Sequence, residues 1–270
     1  MNYWAESSRN IYVAAHRGLS ARYPENTMLA FQKAAEAGVD QIETDVRMTK
    51  DGELILIHDS SAARTTDRQG NVEEMTLEEV RRLDAGIRWG EQFRGLKVPT
   101  LREFMDYVSQ FPALTLDIEL KEYPTKGNER LAYSACDKTI AMLEEYGFGD
   151  RIVLNTFSGV LHEYIQDKYG DRYRRHVYYP ISYLGKGLTR DPYAGAFCCC
   201  MFRTMYHGEM NMAEPEEFAK MAALGVEPWA GAGVKTQEDV DQAIRCGATL
   251  ITCNNGDEVL QFLRNRGCHQ

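Results

Sequence analysis

Glu43 and Asp45 stand two residues apart in an apolar stretch, Gln41 to Asp59, that reads as a strand, a Lys50-Asp51-Gly52 turn and a second strand ending in His58-Asp59. Side chains two apart in extended chain point to one side, so the two carboxylates project together. Like charges on one face repel unless a cation lies between them. A divalent ion with oxygen ligands relieves that repulsion without neutralising either acid. The plainer alternative, a solvated acidic face, fits poorly with Ile42, Thr44 and Val46 on the opposite parity.

Comparable groups sit at the ends of other apolar runs. His16 and Arg17 follow Ile11 to Ala15. Glu119 and Lys121 close the alternating segment Leu114 to Leu120, in which Asp117 shares the face of Glu119.

Three acids suit a hard divalent cation, Mg2+ or Ca2+, with positions left for a substrate oxygen. Two imidazoles, His16 and His58, suit a general base and a general acid. Arg17 offers a fork for phosphate oxygens and Lys121 a point charge. Together these groups point to phosphoryl transfer at a metal-held phosphate. Asp59 is expected to orient His58 or cap a turn, Asp117 to support from behind, and Asn26 to cap a helix. Trp229 reads either as barrel filling or as a wall against the ligand, and His207 as a weaker contact candidate; His162, His176 and His269 receive no functional reading.

These residues meet only if strand ends converge. Strands alternate with helices along the 270 residues, about eight times, at spacings typical of parallel crossover units. The economical architecture is one (β/α)8 TIM barrel over 1–270, with a small insertion at about 60–100 near the mouth of the site. A doubly wound sheet would carry a Gly-rich phosphate loop after its first strand, and His16-Arg17-Gly18 is not one.

The totals agree. A hydrophobic fraction of 44% supports a large core, and a net charge of −9 without a basic run argues against nucleic acid as a partner. Seven cysteines, three of them adjacent at Cys198-Cys199-Cys200, show no zinc-type spacing and read as free thiols in a reducing cytoplasm. The amino terminus lacks the basic start and apolar core of a signal peptide, and no run of about 18 apolar residues could span a membrane. A cytoplasmic protein acting on a small-molecule phosphodiester is expected, its oligomeric state left open.

In order and spacing, His16-Arg17-Gly18, Pro24-Glu25-Asn26-Thr27, Glu43-Thr44-Asp45-Val46, Thr49-Lys50-Asp51-Gly52, His58-Asp59, Val98-Pro99-Thr100-Leu101 and Glu119-Leu120-Lys121 resemble the signature of the glycerophosphodiester phosphodiesterase family. The resemblance is dense over residues 11 to 121. It implies a barrel, one divalent ion held by Glu43, Asp45 and Glu119, acid/base roles for His16 and His58, and cleavage of glycerophosphodiesters to glycerol phosphate and an alcohol. Lysophospholipid or phosphoinositol-type diesters, or an inactive phosphodiester-binding barrel, are the alternatives. The later strand ends depart from the family pattern: Trp229-Ala230-Gly231-Ala232 replaces a usual Trp-Thr-Val-Asn, and Thr252-Cys253-Asn254-Asn255 replaces a Thr-Asp followed by Pro. The lost groups are hydrogen-bonding ones, so the resemblance speaks more to reaction class than to substrate.

Overall fold

Strands that are apolar on both faces need cover on both sides, which a parallel sheet obtains from the helices of its crossovers. The computed structural model describes residues 4, 10–206, 209–231 and 233–270. Its strands are β1 (Tyr12–His16), β2 (Gln41–Met48), β3 (Leu54–Leu56), β4 (Thr115–Leu120), β5 (Ile152–Asn155), β6 (Arg174–Tyr179), β7 (Cys198–Tyr206), β8 (Glu209–Met212), β9 (Glu227–Ala230) and β10 (Leu250–Cys253). Eight of them, β1-β2-β4-β5-β6-β7-β9-β10, pair in parallel, and β10 returns to β1 through Tyr12↔Leu250 to Ala15↔Cys253, closing the barrel. The expected eight-stranded α/β barrel is therefore observed. Two further strands run antiparallel, β3 on β2 and β8 on β7. The sequence reading does not anticipate the second pair, because β7 continues four residues past the apolar run that ends at Phe202.

The helices α1 (Met28–Ala37), α2 (Leu77–Val80), α3 (Leu101–Val108), α4 (Glu129–Glu145), α5 (Gly159–Tyr169), α6 (Pro215–Ala223), α7 (Gln237–Cys246) and α8 (Gly256–Asn265) surround the strands. Their ends follow local chemistry. Thr100 accepts from the Glu103 amide and Glu103 answers the Thr100 amide, a capping box that starts α3. Leu101, Phe104, Met105 and Val108 then recur at helical spacing and are all fully buried. Each such side chain contributes about 1.5–3 kcal/mol by leaving water. Thr27, not Asn26, caps α1, and left-handed Gly38 ends it. The sequence reads as a capped helix over Thr76 to Leu83, but only the single turn of α2 forms, and the chain leaves the helical ladder at Arg81.

Residues 57–100 carry a small apolar cluster of their own, in which Ile57, Ala62, Val72, Val80, Leu83, Ala85 and Val98 pack on Ile55 of β3. Among the described residues no helix is long and apolar enough to cross a membrane. All seven cysteines are free thiols.

Candidate active site

Register sets the first tier of the site. His16 of β1 pairs with Glu43 of β2, and Asp45 of β2 pairs with Glu119 of β4. Glu43, Asp45 and Glu119 are buried, each with one carboxylate oxygen within 4.8 Å of the others'. Fixed cations from the neighbouring strand ends offset the crowding. Arg17 Nε lies 3.1 Å from Asp45 Oδ2, and the Arg17 backbone amide donates to Glu43 Oε2 at 2.9 Å. Lys121 Nζ lies 2.7 Å from Glu119 Oε1 and 3.6 Å from Asp45 Oδ1. Arg17 reaches inward because it and Gly18 both adopt left-handed backbone, φ 58 and 79. For arginine that conformation stores strain of about 1–3 kcal/mol, a pattern concentrated at functional sites.

The charges are divided unequally. Burial opposes ionisation of Asp45, but Arg17 and Lys121 outweigh it and hold that carboxyl well below the usual range. Burial and the Asp45 charge push Glu43 well above it. Glu43 Oε1 and Asp45 Oδ1 have no hydrogen-bond partner among the described residues. Unanswered oxygens on clustered acids are the donor set a hard divalent cation takes, so these residues fit one.

The imidazoles flank the acids. His16 Nδ1 bonds Asn254 Oδ1 at 2.7 Å, which places the proton on Nδ1 and leaves Nε2 as the acceptor, 3.9 Å from Glu43 Oε2. Burial first, and then Arg17, lower its pKa to about 3, so the ring is neutral. His58 Nδ1 donates to Asp59 Oδ1 at 2.6 Å. Arg64 bonds Asp59 and both oxygens of Glu25, and Glu25 accepts from Arg17 at 2.9 Å. An ionic chain thus runs from His58 to Arg17. His16, Arg17, Glu43, His58 and Glu119 line one cavity of about 420 Å3.

The profile of the glycerophosphoryl diester phosphodiesterase family matches residues 16–255. The chain belongs to this family. It is a phosphoric diester hydrolase. A glycerophosphodiester phosphodiesterase of Caldanaerobacter subterraneus subsp. tengcongensis is 33% identical to it over 259 residues, covering 94% of this chain and 98% of the relative. A Silicibacter pomeroyi structure superposes with a TM-score of 0.82 at 23% identity, covering 100% of this chain and 99% of its own. An Oleispira antarctica phosphodiesterase, solved in complex with the product sn-glycerol-3-phosphate, gives 0.78 at 20% identity over 94% and 96%. At such identities the two structures speak to the fold.

In this phosphodiesterase the seven residues singled out at the strand ends come together, with Asp45 and Lys121 packed directly behind the cavity wall. Trp229 does not join them: it is 2% exposed, packs edge-on against His176 with ring centroids 4.8 Å apart, and fills the barrel beside the residues that line the cavity. Asn26 is no cap either; its amide donates to Asp45 Oδ2 at 2.7 Å and its carbonyl accepts from Thr44. His176, given no role from sequence, lines the cavity and bonds Asp117 through Nδ1 at 2.8 Å. Sequence reasoning also misses Asn155, Phe157, Phe202, Thr252 and Asn254. Asn155 ends β5 and Asn254 directly follows β10, so the strand-end rule that finds the acids would have found both. His207 lies outside the described residues.

Proposed function

We propose that this phosphodiesterase hydrolyses glycerophosphodiesters to glycerol phosphate and an alcohol, with His16 and His58 as its acid/base pair. Glu43, Asp45 and Glu119 would hold a divalent cation, which when bound supplies charge neutralisation to the phosphate's nonbridging oxygens. Arg17 and Lys121 add fixed positive charge beside the same oxygens, which costs no reorganisation as negative charge builds. His16, neutral with Nε2 free, would take a proton from the water that attacks phosphorus. His58, in its doubly protonated form with Nδ1–H held by Asp59, would present Nε2–H to the departing alkoxide and give up that proton there, leaving the neutral ring. Glu25 and Arg64 keep Asp59 and Arg17 in place.

The observation that carries this reading is the meeting, in one cavity, of clustered acids with two imidazoles held by different partners. The test is release of glycerol phosphate from glycerophosphocholine with and without chelator. His16→Ala and His58→Ala should each lower the rate by about 10²–10⁴, and chelation should abolish it. Turnover indifferent to chelator, or untouched in His16→Ala, overturns the scheme.

A further inference from the structure

The strand that carries Glu43 and Asp45 brings a third charged side chain to the same face. Arg47 follows at the same two-residue interval, so it shares their side of β2. It lies outside the set of residues that line the catalytic cavity, and the chemistry above gives it no part. Its guanidinium is nevertheless engaged from two directions. Nε donates to the His58 carbonyl at 3.0 Å, and Nη1 donates to Glu73 Oε1 at 2.9 Å and Glu122 Oε1 at 3.4 Å.

These contacts close a ring around the turn that presents His58. The pairing of β3 with β2 gives out at Ile57, whose amide donates to the Asp45 carbonyl, and residues 58–60 follow as a bend outside the ladder. Arg47 holds the carbonyl at the start of this bend. At its end the Ser60 hydroxyl donates to Glu73 Oε2 at 2.7 Å, while the other oxygen of Glu73 accepts from Arg47. Glu122, just beyond β4, ties the same guanidinium to a second barrel strand.

His58 thus has two anchors, and they differ in exposure. Asp59 and Arg64, which hold the ring at Nδ1, have side chains 31% and 47% exposed, whereas those of Arg47 and Glu73 are 11% and 17% exposed. Water screens an exposed ion pair until it contributes little, and a shielded pair keeps more of its attraction. The anchor on the backbone is therefore the stiffer one. Displacing a reacting group by about 1 Å can cost about a hundredfold in rate, so what fixes this carbonyl bears on catalysis.

We propose that Arg47, through the His58 carbonyl and Glu73, is the positioning residue that holds the His58 imidazole where it gives its proton to the leaving group. This rests on the reading of His58 as the general acid. As the bond from phosphorus to the leaving oxygen breaks, a choline alkoxide takes the Nε2 proton, but a nitrophenolate is stable enough to depart as the anion. The test compares kcat and KM on glycerophosphocholine and on the p-nitrophenyl diester of glycerol phosphate, both at saturating divalent cation. Arg47→Met should lower kcat about a hundredfold on the choline diester at nearly the parent KM, and by less than about tenfold on the nitrophenyl diester. A merely structural defect would slow both alike. Arg47→Lys keeps a charge between Glu73 and Glu122 but loses the planar fork that also reaches the carbonyl, so it should melt near the parent and show the same split.

Equal slowing of the two diesters in Arg47→Lys, or no slowing of either, overturns the proposal. If neither arginine variant folds, Ser60→Ala, which removes one bond of the ring and no charge, decides by the same split: its presence sustains the proposal and its absence overturns it. His58→Ala tests the acid reading separately. It should show the split at full size, and if it slows both diesters alike the acid reading is what fails. The His58 ring resonances in Arg47→Lys then decide the positioning: a shifted ring signal sustains it, and an unmoved one overturns it.

Discussion

At the scale of single residues, this barrel spends its buried polar groups unevenly. Asp45 receives Arg17, Lys121 and Asn26, whereas Glu43 receives the Arg17 backbone amide, and burial with the Asp45 charge keeps it hard to ionise. A similar asymmetry separates the histidines. His162, away from the acids, donates Nε2 to the Thr156 carbonyl at 2.9 Å, and burial followed by the nearby Arg175 charge lowers its pKa to about 3. In the unfolded chain the group titrates near 6.5. Between those values the unfolded state binds a proton that the folded state does not. Stability is therefore complete above about pH 6.5 and falls as pH drops toward 3, by up to about 1.4 kcal/mol per pH unit for this one group. Denaturant titrations from pH 7 to pH 4 should show a shallower loss in His162→Gln than in the parent. An equal slope in both would remove His162 as a cause.

At the scale of elements, the loop from β1 to α1 connects local conformation to chemistry most directly. Gly18 has φ +79, and a Cβ there would lie 2.6–2.8 Å from Ala30 atoms, including its backbone carbonyl. Only glycine lets the loop press onto α1 while turning Arg17 toward Asp45. Gly18→Ala should cost about 1–3 kcal/mol of stability through that overlap, and it should lower activity as well because Arg17 moves with the loop. Thr100→Ala is the contrasting case. It removes the capping box of α3 for about 1 kcal/mol, and glycerol phosphate release should stay at the parent level. Activity retained in Gly18→Ala would show that the turn does not set the position of Arg17.

At the scale of the molecule, a closed barrel holds its acids at a mouth they would avoid if free to separate. Three buried carboxyl groups are offset by Arg17 and Lys121, and two of their oxygens have no hydrogen-bond partner among the described residues. Adding a divalent cation should therefore raise the Tm of the parent. Binding at a hundredfold excess over Kd stabilises by about 2.7 kcal/mol, which for a chain of this size is a rise of about 5–10 °C. Glu43→Gln should lose both that rise and activity, while keeping close to the parent's Tm when both are treated with chelator, because a carboxyl that burial and Asp45 keep hard to ionise is exchanged for a neutral amide. A parent whose Tm ignores Mg2+ and Ca2+ would argue against a cation held by Glu43, Asp45 and Glu119.

Much of this was legible in the chain. The two-residue spacing of Glu43 and Asp45, the polar endings of apolar strands and the helix signals at Thr100 and Gly38 are local, because side-chain parity and capping depend on immediate neighbours. They were enough to specify a barrel and the identity of its first-tier groups. Closure of the sheet decided what parity could not: that Trp229 points into packed interior, that Asn26 supports Asp45 in place of capping α1, and that His176 meets Asp117 across β5. Each of those contacts joins residues from 19 to 59 positions apart or buries a ring among non-neighbours. Strand register brings such partners together, and register is a property of the closed sheet as a whole.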